Sequence, residues 1–284
     1  MIDRTTRVLI QGITGRAGRM HTRLMRGYGT NIVAGVSPRA EPVDGVPVFT
    51  SCAEAVAASG ATASVAFVGA DALLGAIREA LDAGVKLIVT PTEGMPVHDA
   101  MAALAAVRAA GARWIGASTP GMAVPGEAKL GFLPEVALAP GPVGVMSKSG
   151  TLSYEVCYRL VRRGIGQSVW IGVGGDPVKG TRYADLVPYF AADARTRALV
   201  MIGEIGGSEE EELAVALRAE RFAKPVFALV AGRSAREGVT MGHAGAMVHG
   251  DAGSWTSKRA ALEEAGARVF SAVAELVEAV AAAL

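Results

Sequence analysis

This 284-residue chain is predicted to be an α/β protein of two domains, an N-terminal Rossmann-like domain and a C-terminal flavodoxin-like α/β domain. Three observations predict it. Short runs rich in β-branched residues alternate with alanine-rich stretches of helical length. The apolar residues of the runs are continuous rather than alternating, as in strands covered on both faces. Glycine-rich turns follow some of the runs directly, where α/β folds place their ligands.

In order, the strands are read in "RVLIQG" (7–12), "NIVAGV" (31–36), "ASVAFVG" (63–69) and "KLIVT" (86–90), with helices near 16–28, 70–83 and 97–111. These make the first domain, residues 1–120. Five prolines and four glycines then interrupt the pattern between 117 and 142, so 121–142 reads as a connector with one short hairpin. Alternation resumes with "VGVMS" (143–147), "SVWIGV" (168–173), "RALVMIG" (197–203) and "KPVFALV" (224–230). Helices are expected near 151–163, 182–191, 208–220, 255–265 and 272–283. They complete the second domain, residues 143–284.

Composition narrows the function classes. Net charge is +1 with dispersed basic residues, so no nucleic-acid footprint is expected. Hydrophobic residues make up 51% and mean hydropathy is +0.34, yet no uncharged run reaches the length of a membrane span. The opening "MIDRTTRVLIQG" carries charges where a signal peptide needs an apolar run, and a cytoplasmic location is expected. Cys52 and Cys157 are too few for a disulfide framework or a structural zinc site.

The first βα turn, "GITGRAGRM", spaces Gly12, Gly15 and Gly18 as GxxGxxG. Glycines there let backbone approach a phosphate, and the helix N-terminus supplies free N–H groups. Tight strand–helix packing is the alternative use of the same glycines. The second strand ends in Ser37 and Arg39, with Glu41 late. A serine and an arginine suit a phosphorylated ribose, either the 2′-phosphate of NADP or the 3′-phosphate of coenzyme A, and the turn alone does not choose between them. In the second domain, Ser149, Gly150 and Thr151 stand where a strand passes into a helix. They can cradle a phosphate or simply cap the helix. The segment "GVGGDPVKGT" (172–181) lacks the P-loop order and reads as a loop.

His243 lies in "TMGHAGAMVHG" between Gly242 and Ala244-Gly245, an imidazole left uncovered by small neighbours. Glu204 follows a strand and could accept a hydrogen bond from one ring nitrogen, leaving the other as a nucleophile. An exposed histidine and a capping carboxylate are the alternatives. His249 is near, but no further ligands follow, and no metal site is expected.

The segments "QGITGRAG", "LIVTPTEGMP", "SKSGTLSYE", "GVGGDP", "MIGEIGGSEEEE" and "MGHAGA", in that order, resemble the α subunit of nucleotide-forming succinyl-CoA synthetase. The resemblance covers nearly the whole chain. It implies an acid–thiol ligase of the tricarboxylic acid cycle that works through a phosphohistidine and an acyl phosphate. It implies coenzyme A binding by the first domain at Thr14, Gly15, Arg16 and Ala17 and at Pro91, Thr92 and Glu93, with Arg39 a further candidate. It makes His243 the phosphorylated residue, steadied by Glu204, with Ser149–Thr151 holding the phosphate. Tyr154 falls where the family meets its acid at the β-subunit interface. The implied partner is a β subunit with an ATP-grasp domain that binds Mg²⁺ with ATP or GTP, in an αβ or (αβ)₂ assembly.

Two departures bear on this. The family commonly has "PGKGG" after strand two, its lysine meeting coenzyme A; here the segment is "PRAEP", with Ala40 in the lysine's place. The family's "NCPG" is replaced by Ser118-Thr119-Pro120-Gly121. Malate or another carboxylate is therefore an alternative to succinate. A non-catalytic coenzyme A-binding paralogue and an NADP reductase are the competing classes. Retained His243 and Glu204 speak against the first, and the second has no use for "GHAGA".

Overall fold

The structure, a computed structural model, describes residues 1–234 and 253–284. His243 and His249 lie outside the described residues. Two compact units are present: Met1–Leu133 with Val178–Gly180, and Pro134–Pro177 with Thr181–Leu284.

The first unit runs β1 (Val8–Gln11), α1 (Arg16–Gly27), β2 (Ile32–Val36), β3 (Val48–Phe49), α2 (Cys52–Ser59), β4 (Ala63–Ala66), α3 (Leu73–Asp82), β5 (Leu87–Thr90), α4 (Val97–Ala109) and β6 (Arg113–Gly116), then an antiparallel hairpin, β7 (Gly121–Val124) and β8 (Ala128–Gly131). The first six strands pair in parallel in the order β3-β2-β1-β4-β5-β6. That is the Rossmann order, with its switch point between β1 and β4. All four residues of β1 are buried, which explains the apolar run Val8–Ile10. Its one polar side chain, Gln11, is satisfied inside, donating to the Ala76 carbonyl at 2.9 Å and accepting from Ser64 Oγ at 2.8 Å.

The second unit runs β9 (Pro140–Ser147), α5 (Gly150–Val161), β10 (Gln167–Gly172), α6 (Tyr183–Ala192), β11 (Ala198–Glu204), α7 (Glu209–Glu220), β12 (Val226–Ala231), α8 (Trp255–Glu264), β13 (Arg268–Phe270) and α9 (Val273–Ala281). Its parallel strands lie in the order β13-β12-β11-β9-β10. Counted among the parallel strands and starting from β10 this is 2-1-3-4-5, the flavodoxin-like order. Here the switch point falls between β9 and β11. Among the described residues no helix is long and apolar enough to cross a membrane.

The expected connector at 121–142 divides differently. Residues 121–131 form the hairpin and belong to the first unit, and the break falls at 133/134. The reason is a set of bonds between residues distant in sequence. Thr30 Oγ1 donates to the Lys129 carbonyl at 2.8 Å and accepts from its N–H at 3.1 Å, while the Gly126 N–H donates to the Tyr28 hydroxyl at 3.0 Å. Pro125 and Gly126 thus serve a tight hairpin turn and not a linker. The segment 172–181, read as a loop, is one beyond Gly172. Val178–Gly180 pack with the first unit, where the Gly180 N–H donates to the Gly116 carbonyl at 2.8 Å.

Gly12 and Gly18 explain the first turn. Gly12 has φ +74°, and a Cβ on it would strike the Phe67 carbonyl. A Cβ on Gly18 would strike the Gly12 carbonyl and Ile13 Cα. The turn therefore lies flat against both its own helix and the loop after β4. Gly18→Ala should cost about 1–3 kcal/mol, since backbone rather than a flexible side chain must move. A chemical-denaturation midpoint equal to that of the unsubstituted chain would contradict this packing.

Candidate active site

In the first unit the residues 14–17, 37–39 and 91–93 follow β1, β2 and β5, so all lie at the carboxyl edge of one sheet. The α1 N-terminus is open. Gly15 is its N-cap with no side-chain cap, Gly15, Arg16 and Ala17 are exposed, and no acidic residue occupies the first turn. The unpaired N–H groups of such a turn and a cationic Arg16 suit a phosphate. Thr14 Oγ1 and Ser37 Oγ lie 2.6 Å apart, which ties the first turn to the end of β2. Arg39 and Ala40 are exposed beyond Ser37. Thr92 Oγ1 donates to the Val68 carbonyl at 2.7 Å, and the Ser118 N–H donates to the Thr92 carbonyl at 2.9 Å. The loops after β4 and β5 and the Ser118–Gly121 segment are thereby held together, and Glu93 is exposed among them. This edge fits a ligand that carries phosphates.

In the second unit Ser149 is the N-cap of α5, and its Oγ accepts from the Leu152 N–H at 3.3 Å. Ser147 Oγ braces the turn, donating to the Ser149 carbonyl at 2.7 Å and accepting from the Ser149 N–H at 3.0 Å. Gly150 is partly exposed and Thr151 exposed, so the helix mouth is accessible. Glu204 ends β11, the strand beside β9, and is 9% exposed. Ser149–Thr151 and Glu204 therefore flank the β9/β11 switch point. Tyr154 lies one helical turn beyond Gly150–Thr151, half-buried, with its ring edge-on to Trp170 at 5.8 Å between centroids. Burial pushes its phenol up to about 12.

A buried charge cluster sits behind this edge. Lys148, between Ser147 and Ser149, lies 2.9 Å from Glu210 Oε1 and 3.5 Å from Glu209 Oε2. Lys258 of α8, 0% exposed, is paired with Glu210 Oε2, lies 3.0 Å from Glu211 Oε2 and donates to the Gly207 carbonyl at 3.0 Å. Burial alone would raise the Glu210 carboxyl, but the ammonium groups of Lys148 and Lys258 outweigh it and hold the group below its ordinary range. Burial likewise works against the Lys148 cation, and Glu210 and Glu209 outweigh it to raise that group. In the sequence Lys148 and Glu209–Glu211 fall inside the segments "SKSGTLSYE" and "MIGEIGGSEEEE", but nothing in either pairs them with Lys258.

Both units match known protein families. Residues 3–94 match the family model of the CoA binding domain, and residues 146–268 match that of CoA-ligase. The chain is 47% identical to the α-2 subunit of ADP-forming succinate–CoA ligase from Archaeoglobus fulgidus, over 99% of this chain and 98% of that one. It is 42% identical to a subunit of the ADP-forming sulfoacetate–CoA ligase of Bilophila wadsworthia, over 97% of this chain and 96% of that one. ATP citrate lyase from Methanothrix soehngenii shares the fold, with TM-score 0.87 and 22% identity over 99% of this chain. The chain spans about half the length of that lyase, 50%. A coenzyme A-binding unit followed by a CoA-ligase unit defines an acid–thiol ligase. Within that class, the chain belongs to the succinate–CoA ligase α-subunit family.

The raised Tyr154 phenol has a pH consequence. Its unfolded value is near 10 and its folded value about 12, so the folded state holds the proton longer. The stability this contributes is present below pH 10 and is lost as pH rises through 12. Tyr154→Phe should flatten the alkaline decline of the unfolding midpoint between these limits. An unchanged slope would show that the phenol does not feel its burial.

Proposed function

We propose that this chain is the α subunit of a nucleotide-dependent ligase that forms succinyl-CoA by way of phosphorylated His243. The observation that carries the reading is the convergence of Glu204 and the open α5 mouth at one switch point. It is supported by 47% identity over nearly the full length to a succinate–CoA ligase α subunit. A β subunit with an ATP-grasp domain supplies the Mg-nucleotide, ATP or GTP. Such a pair serves the tricarboxylic acid cycle.

The chemistry balances in three displacements. An imidazole nitrogen of His243 attacks the γ-phosphorus and the nucleoside diphosphate leaves. A carboxylate oxygen of the acid attacks the phosphohistidine phosphorus, breaking the N–P bond and giving an acyl phosphate. The thiolate of coenzyme A attacks the acyl carbon and inorganic phosphate leaves. Imidazole suits the carrier role because it is a nucleophile near neutral pH and a good leaving group once phosphorylated. Glu204 orients the ring by accepting from its second nitrogen. The first-turn N–H groups of α5, with Ser149 and Thr151, stabilise the transferring phosphoryl charge through the helix dipole. Tyr154 contributes to the acid's pocket. Thr14–Ala17, Arg39 and Pro91–Glu93 hold coenzyme A.

Two observations keep malate or another acid as a second reading. Ser118–Gly121 departs from the family pattern, and a relative at 42% identity is named for sulfoacetate. Screening acids with the reconstituted pair for thioester formation separates these substrates.

Incubation with the cognate β subunit, Mg²⁺ and γ-labelled nucleotide should place acid-labile label on the chain. His243→Asn should abolish it, and Glu204→Gln should slow it by about two orders of magnitude. Equal labelling of His243→Asn would refute the assignment. Ala40→Lys should lower the KM for coenzyme A several-fold while the rate of phosphorylation stays unchanged. A KM that does not move would separate this loop from coenzyme A recognition.

A further inference from the structure

We propose that Glu210 is a positioning residue for phosphoryl transfer, one buried carboxylate that sets both walls of the phosphate site. The inference rests on the phosphohistidine reading given above. Oε1 of Glu210 accepts from the backbone N–H of Glu204 at 3.2 Å and from Lys148 Nζ at 2.9 Å. Its Oε2 accepts from Lys258 Nζ. The first bond fixes the strand end that bears Glu204. The second fixes the residue immediately before the Ser149 cap, whose own N–H donates to the Ile202 carbonyl at 3.0 Å. Through Lys258, the third reaches the Gly207 carbonyl in the turn after Glu204, and α8, the first described helix after the segment that carries His243.

A separate observation shows that the backbone is shaped to admit this carboxylate. Gly203 is inside β11, where glycine weakens a strand. A Cβ there would lie 2.5 Å from Glu210 Oε1 and 2.8 Å from its Cγ. The strand thus gives up a side chain so that a charge can press against its last peptide. Stability does not explain such an arrangement, because apolar residues of similar volume commonly replace a buried ion cluster without loss. Positioning does explain it. Ser149 and Glu204 come from strands joined to different helices, and a shared acceptor fixes one relative to the other. Lys258 and Lys148 keep the carboxylate ionised, so both anchors persist together.

The test uses the reconstituted αβ pair, with Glu210→Gln, Lys148→Arg and Lys148→Met. Glu210→Gln keeps the shape and removes the charge. It should slow labelling of the chain by γ-labelled nucleotide about 10- to 100-fold, with kcat falling to match. The KM values for coenzyme A and nucleotide should hold, a split that general loosening of the fold does not give. Lys148→Met should show the same loss and Lys148→Arg should restore most of the rate. Labelling of Glu210→Gln at the unsubstituted rate would overturn the proposal. If that variant does not fold, equal rates for Lys148→Met and Lys148→Arg would overturn it instead. Absence of label on the unsubstituted chain would refute the phosphohistidine reading itself, which distinguishes the two failures.

Discussion

Parallel strands impose one constraint from which the rest of this molecule follows. Every strand in a parallel sheet ends at the same edge, and each following helix begins there with N–H groups that have no partner in the helix. Where consecutive connections leave to opposite faces, the two helices part and open a crevice. The first unit has that parting between β1 and β4, and the second between β9 and β11. Each crevice therefore presents positive helix ends to whatever enters. The coenzyme A-binding unit and the CoA-ligase unit carry the same electrostatic feature, and parallel α/β architecture supplies it in both.

What fills each crevice differs, and the difference is chemical. The first is lined by glycine and small hydroxyl groups, with Gly12 held against the Phe67 carbonyl and Thr14 against Ser37. It is a surface on which an extended ligand can lie. Behind the second lies a closed cluster of two lysines and the three carboxylates Glu209, Glu210 and Glu211. Charges this deep are costly unless mutually satisfied, and here they are. The first crevice suits recognition of a large substrate. The second suits holding a few atoms in register.

Much of the fold was legible from the residues because its signals were local. Fully buried strands such as β1 and β11 announce themselves as runs apolar up to their last residue, and Ser149 as a cap ahead of a helix. The elements not anticipated were β3, α2, β6 and β13, three of them strands of two to four residues, too short to show a period. The hairpin at 121–131 was anticipated, but its allegiance was not. The bonds from Tyr28 and Thr30 that hold it span about a hundred residues, and no local pattern reports them. The candidate site divided in the same way. Thr14–Ala17 and Ser149 stand where a strand passes into a helix, and Glu204 at a strand end. Lys148, Glu210 and Lys258 become a unit only when residues 48 to 62 positions apart meet, and the acidic run taken alone resembles a solvated helix start.

The small excursion at Val178–Gly180 has a consequence for how this molecule can be divided. Those three residues lie with the first unit although the chain on either side of them lies with the second. A Cβ on Gly180 would come within 2.5 Å of Trp114 Cβ, so the backbone there serves as a lid over a core tryptophan. A gene cut at residue 133 would leave Trp114 uncovered on that side and the Gly116 carbonyl without its donor. The halves are modular in architecture but not in inheritance. Recombination that swaps one for a homologue must bring a matching triplet embedded in the other.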